Sequence, residues 1–144
     1  MPPLHPIGSD FRQKLWRCML QNLPEDLPYT EHSKLERNRM REIMDYLEHN
    51  YMNKIQMKNI AEEIHLCESE CSRLFKRYMN VSLFTFLQEY RVERSLEFLL
   101  SSDDSIMEVA QKSGFTDSNY YAKVFSRVKG CSPQKYRKQN TKKE

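Results

Sequence analysis

The stretch Glu68-Ser-Glu-Cys-Ser-Arg-Leu-Phe-Lys-Arg-Tyr-Met-Asn80 decides the fold, because it recurs 50 residues later as Ser118-Asn-Tyr-Tyr-Ala-Lys-Val-Phe-Ser-Arg-Val-Lys-Gly130. In the first copy the apolar positions are Cys71, Leu74, Phe75 and Tyr78. Their spacing of 3, 1 and 3 is that of one face of an α-helix. Tyr121, Val124, Phe125 and Val128 repeat the set at a constant shift of 50. The same shift takes Arg73 to Lys123, Arg77 to Arg127, Ser82 to Ser132 and Phe86 to Tyr136. Upstream the shift is 49, taking Ile60-Ala61 to Val109-Ala110 and Leu66 to Phe115, which one residue of difference in the intervening turn explains. The chain therefore holds two copies of a short helix, a turn and a second helix, the grammar of a helix-turn-helix.

The surrounding pattern is helical too. Met40, Ile43, Met44, Leu47 and Tyr51 predict a helix over about 35–50. A short helix begins near Met57. A long one spans roughly 82–101, with Leu83, Phe86, Leu87, Tyr90, Leu96, Phe98, Leu99 and Leu100 on more than one face, as in a helix packed on two sides. Ser101 to Ser105 read as a turn and cap, and Ile106, Val109 and Ala110 as another short helix. Gly114 breaks that helix, Asp117 caps the next, and Asn80 and Gly130 close the two long helices of the repeat. Near the start, Ser9 or Asp10 caps a short helix carrying Phe11, Leu15, Trp16 and Met19, which Pro24 and Pro28 stop.

Composition agrees. There are three glycines, no proline between Tyr29 and Ser132, and no glycine between Ser9 and Ser113. Sheet proteins lean on those residues for tight turns, so the class is all-α. The expected partition is an N-terminal extension or linker remnant over 1–34, a first subdomain over 35–81, a linking helix over 82–101, a second subdomain over 102–138 and a basic tail over 139–144. No run of about 18 uncharged apolar residues predicts a membrane span. The Pro-rich start does not read as a signal peptide. The four cysteines, Cys18, Cys67, Cys71 and Cys131, are expected to be reduced thiols in a cytoplasmic protein. Cys67, Cys71 and His65 lack a second Cys/His pair, so no metal is expected. His5, His32, His49 and His65 pair with no placed nucleophile, and there is no glycine-rich phosphate loop. Neither an enzyme nor a cofactor is expected.

Charge is regional. Residues 36–122 hold 11 Lys/Arg and 15 Asp/Glu, net −4, whereas 123–144 hold 8 Lys/Arg and one Glu, net +7. A basic end on a helical body points to a polyanion, or else to a solubilising tail. If 71, 74, 75 and 78 face inward, Ser69, Ser72, Arg73 and Lys76 face outward, and in the second copy Asn119, Ala122, Lys123 and Ser126 do. Short polar side chains around one long cation suit a helix in the DNA major groove, where Arg pairs with guanine and Asn with adenine. The linking helix adds geometry: about 20 residues span roughly 30 Å, and successive major grooves on one side of a duplex lie about 34 Å apart.

These residues together resemble the AraC/XylS family of bacterial transcription regulators, over about residues 38–138. The second unit carries Ile106-Met-Glu-Val-Ala110, Gly114-Phe115, Asp117, Tyr120-Tyr121, Phe125, Gly130, Ser132-Pro133 and Tyr136-Arg137; the first carries Ile60-Ala61, Arg73, Phe75-Lys76, Ser82, Arg91 and Leu99. The resemblance implies two homeodomain-like helix-turn-helix units that bind double-stranded DNA, with Glu68–Tyr78 and Ser118–Val128 as recognition helices. It also implies a sensor domain elsewhere, so the chain is expected to be the C-terminal piece of a longer, effector-responsive regulator, with a free-standing short regulator as the alternative. Ser69, Ser72, Arg73, Ser118, Asn119 and Lys123 would then read bases, and Lys76, Arg77, Arg127, Lys135 and Arg137 would hold phosphates. Departures from the family pattern are Cys67 at a capping serine, Asn80 at a turn glycine, Ser95 at an alanine, Asn119 at a serine, Lys123 at an arginine and Ser126 at a lysine. RNA polymerase and a second copy of the chain, joined through the N-terminal or a missing region, are further expected partners. The alternative is a helical protein-interaction module with little DNA binding.

Overall fold

The computed structural model describes residues 31–141, which form seven helices and no strand. The short helix expected around Phe11 to Met19 lies outside the described residues. Helix α1 spans Glu31–Asn50, α2 Met57–Glu63, α3 Glu68–Met79, α4 Leu83–Ser101, α5 Ile106–Lys112, α6 Ser118–Lys129 and α7 Pro133–Thr141. The all-α class and the pair of helix-turn-helix units stand as read from the repeat. Helix α1 starts four residues ahead of the expected Leu35, because its first turn is polar and carries no apolar period to mark it. Among the described residues no helix is long and apolar enough to cross a membrane.

The caps explain most boundaries. Ser82 Oγ accepts the Thr85 amide at 3.2 Å and starts α4. At α5, Ser105 Oγ accepts the Glu108 amide at 3.1 Å while the Glu108 carboxylate accepts the Ser105 amide at 3.3 Å, a reciprocal capping box. Asp117 accepts the Asn119 amide at 2.9 Å ahead of α6. Ser105→Ala is expected to remove about 1 kcal/mol of stability, measurable as a lowered urea midpoint with an unchanged slope. Cys67 has extended backbone at the start of α3 but gives no side-chain cap, as expected of a weakly accepting thiol.

Both copies turn left-handed at matched places. Asn80 (φ 61°) and Gly130 (φ 82°) end α3 and α6, and His65 (φ 58°) and Gly114 (φ 98°) sit in the turns within each unit. Helix α7 is the element the sequence pattern did not separate. It begins at Pro133, a residue suited to the first helical turn, and Ser132 Oγ accepts the Lys135 amide at 3.1 Å. Residues 139–141, expected in the tail, continue this helix. Its only apolar side chain against the second core beyond Pro133 is Tyr136, too little to show a period.

Two apolar cores result. The first joins Met40, Ile43 and Leu47 of α1, Ile60 of α2 and Phe75 of α3 to Leu83, Phe86, Leu87 and Tyr90 of α4. The second joins Val92, Leu96 and Leu99 of α4 to Val109, Phe115, Tyr121, Val124 and Phe125. The linking helix is thus a structural member of both units: its first half completes one core and its second half the other. At the crossover Ser95 Oγ lies 2.8 Å from the Tyr121 hydroxyl, both buried. That contact gives the serine a structural role, since a buried phenol needs a hydrogen-bond partner. Burial pushes the Tyr121 phenol up to about 12.

Candidate nucleic-acid interface

Because Cys71, Leu74, Phe75 and Tyr78 are buried, α3 turns Ser69, Ser72, Arg73 and Lys76 to solvent. The same rotation on α6 buries Tyr121, Val124 and Phe125 and exposes Asn119 and Lys123, with Ser118 half-buried at the first turn. Each unit therefore presents a polar helix face with one long cation near its centre, Arg73 or Lys123. Arg127 and Lys135 are exposed as well. Glu68 and Glu70 share the first turn of α3 with the reading face, where they favour the helix's positive end.

Two of the expected phosphate-binding cations have partners within the protein, although Arg77 stays exposed to solvent. Arg77 pairs with Glu36 of α1, and the Tyr78 hydroxyl donates to the same carboxylate at 2.9 Å. Burial, followed by the Glu36 contact, raises the Tyr78 phenol above its usual range. Glu36 so fastens α1 to α3. Arg137 is half-buried, and its Nε donates to the Leu99 carbonyl at 2.7 Å, closing the C-terminal end of α4. Carbonyls at a helix end lack partners in the helix itself, which explains the attraction of this guanidinium. Neither partner is visible in a local sequence window, because 41 and 38 residues separate the pairs.

Arg91 sets how the units meet. It is 7% exposed, and its Nε donates to the Tyr51 carbonyl at 2.8 Å while a terminal nitrogen donates to the Asn53 carbonyl at 2.9 Å. Desolvation lowers its pKa. Gly114 of the second unit lies against the same pair: a Cβ there would stand 2.3 Å from the Tyr51 oxygen and 2.7 Å from Arg91 Nε. The Arg94 guanidinium lies over the Tyr51 ring, 5.3 Å from its centroid. Tyr51 at the end of the first helix, Arg91 in the linking helix and Gly114 in the second unit thus form one clasp. Lys129 adds a tie from α6 to Glu93 of α4, at 2.6 Å.

A profile described as a helix-turn-helix domain matches residues 60–139, more than half of the chain. The chain belongs to the AraC-type helix-turn-helix family. This AraC-type module is 28% identical over 127 residues to an uncharacterised helix-turn-helix-type transcriptional regulator, YdeC of Bacillus subtilis, covering 88% of this chain and 43% of that protein. It is 28% identical over 140 residues to the helix-turn-helix-type transcriptional activator RhaR of Mannheimia succiniciproducens, covering 97% of this chain and 49% of that one. The chain therefore spans less than half the length of these two relatives. Among solved structures, the DNA-binding domain of the global transcriptional factor AdpA, in complex with a target DNA, superposes with a TM-score of 0.64 at 25% identity, covering 70% of this chain and 90% of that one. Family membership makes DNA binding in transcription regulation the activity of the AraC-type module.

Proposed function

We propose that the module reads two half-sites on one face of duplex DNA and forms the DNA-binding part of a longer, effector-responsive cytoplasmic regulator. The observation that carries this is the duplicated reading helix, with both copies mounted on a single α4 that is locked into both cores. Nineteen residues of α4 give roughly 28 Å of stiff connection, close to the separation of about 34 Å between successive major grooves. Arg73 and Lys123 read base edges, assisted by Ser69, Ser72, Ser118 and Asn119. Lys76, Arg127 and Lys135 hold phosphates; Arg77, through Glu36, and Arg137, through the Leu99 carbonyl, support the reading heads. The relatives' greater length supports a sensor segment elsewhere in the protein, and RNA polymerase is the partner through which binding becomes regulation.

Selection of bound duplexes from a random pool tests the proposal, with two separated half-sites as the expected product. Arg73→Ala is expected to cost about 1–3 kcal/mol and relax base preference at one half-site. A uniform loss on every sequence would reassign Arg73 to the backbone. Affinity should also fall steeply with salt, by a log–log slope of about −0.9 per phosphate neutralised. A flat salt response would favour a protein-interaction module.

A further inference from the structure

Between the two units lies an open cleft of about 710 Å³. Its lining includes Lys54 from the turn after α1, Phe84 and Gln88 of α4, the buried Arg91, and Thr116 and Tyr120 of the second unit. Two cations and no carboxylate line it, although residues 36–122 as a whole are net −4. A cleft of that sign in a body of the opposite sign favours an anion.

Its position is equally telling. Phe84 also borders the hollow lined by Glu68, Ser69, Ser72 and Lys76 on the reading face of α3. On the far side, Thr116 and Tyr120 adjoin Asn119 at the start of α6. The cleft therefore adjoins the first reading face, with Phe84 as the shared wall, and abuts the second. Phe84 and Tyr120 are large side chains left exposed along this path, although apolar groups of that size are normally withdrawn from water. Gln88, which lines the cleft, leaves its side-chain oxygen buried without a hydrogen-bond partner.

From this we infer that the cleft seats the sugar–phosphate strand running between the two half-sites, with Lys54, Gln88 and Thr116 donating to its phosphates and Phe84 packing on deoxyribose. The inference rests on the two-half-site reading above. It assigns contacts outside the recognition helices, at positions where the duplex carries no base-specific information. The linking region is then a third DNA contact as well as a spacer, and it favours half-site separations that place one strand over Lys54.

The test uses the full chain and duplexes selected from a random pool, with the phosphates between the half-sites replaced by neutral methylphosphonates. The native chain should bind the neutral duplex several-fold more weakly, whereas Lys54→Gln should show a clearly smaller difference between the two duplexes, the remainder coming from Gln88 and Thr116. Lys54 is exposed, so this variant should fold normally, and its salt slope should be shallower by about 0.9. Equal affinity of the native chain for both duplexes overturns the inference, as does a methylphosphonate effect undiminished in Lys54→Gln. Recovery of single half-sites also overturns it, because no intervening strand would exist. If no duplex is retained at all, the two-half-site reading falls with it; retention of paired half-sites without phosphate dependence removes the cleft assignment alone.

Discussion

Phe125→Ala is expected to melt the second helix-turn-helix unit while the first stays folded. The Phe125 ring is fully buried, with its centroid 5.7 Å from that of Tyr121 and 5.4 Å from that of Tyr136. Truncating such a ring costs about 3–5 kcal/mol, through lost transfer energy and the cavity left behind. Whole domains are stable by only about 5–15 kcal/mol, and among the described residues the second core holds nine buried apolar side chains against seventeen in the first. Tyr136 also packs α7 onto that core, beside the buried Pro133, so α7 should loosen at the same time. Hydrogen exchange provides the measurement: amides of 106–141 should lose protection while those of 40–87 keep most of theirs. Phe75→Ala, the matched change in the first copy, should reverse the pattern. Simultaneous loss across both regions in either variant would show that α4 couples the cores into one cooperative unit.

What the sequence made legible followed the short-range physics. The cores could be read because burial on a helix imposes a period within about one turn on either side, and because the repeat supplied that period twice. The left-handed positions at Asn80 and Gly130 were also visible, since both residue types tolerate that backbone. His65 hides its role as the partner of Gly114, because histidine does not announce a positive φ. The N-terminal turn of α1 and the whole of α7 escaped because they carry few apolar side chains. On the candidate interface, helical rotation correctly separated the exposed Arg73 and Lys123 from the buried positions. It could not distinguish a cation facing solvent from one tied to a distant group. Arg77 held by Glu36, Arg137 by Leu99, and Arg91 by Tyr51 and Asn53 are all long-range arrangements. Lys54 and Phe84 gain significance only when the fold places them beside Thr116 and Tyr120.

Gly114→Ala should be far more damaging than Gly130→Ala, although both glycines have positive φ, 98° and 82°. A side chain in left-handed backbone costs roughly 1–2 kcal/mol at either site. At Gly130 nothing lies within 4 Å of the new Cβ, so that strain is the whole effect. At Gly114 the Cβ would stand 2.3 Å from the Tyr51 carbonyl oxygen, and backbone cannot swing aside as a flexible side chain can. Either the second unit withdraws or Tyr51 leaves Arg91, whose guanidinium is buried and depends on that carbonyl. A hydrogen bond to a charged group contributes about 1.5–3 kcal/mol, so the combined loss should reach roughly 3–5 kcal/mol. Urea denaturation of the two variants isolates the close approach as their difference. The functional signature should be equally selective. Moving one unit against the other should weaken binding to duplexes carrying both half-sites more than binding to either half-site alone, and should change the preferred separation. Equal costs at the two glycines, or an unchanged separation preference, would show that Arg91 and Tyr51 do not fix the angle between the reading heads.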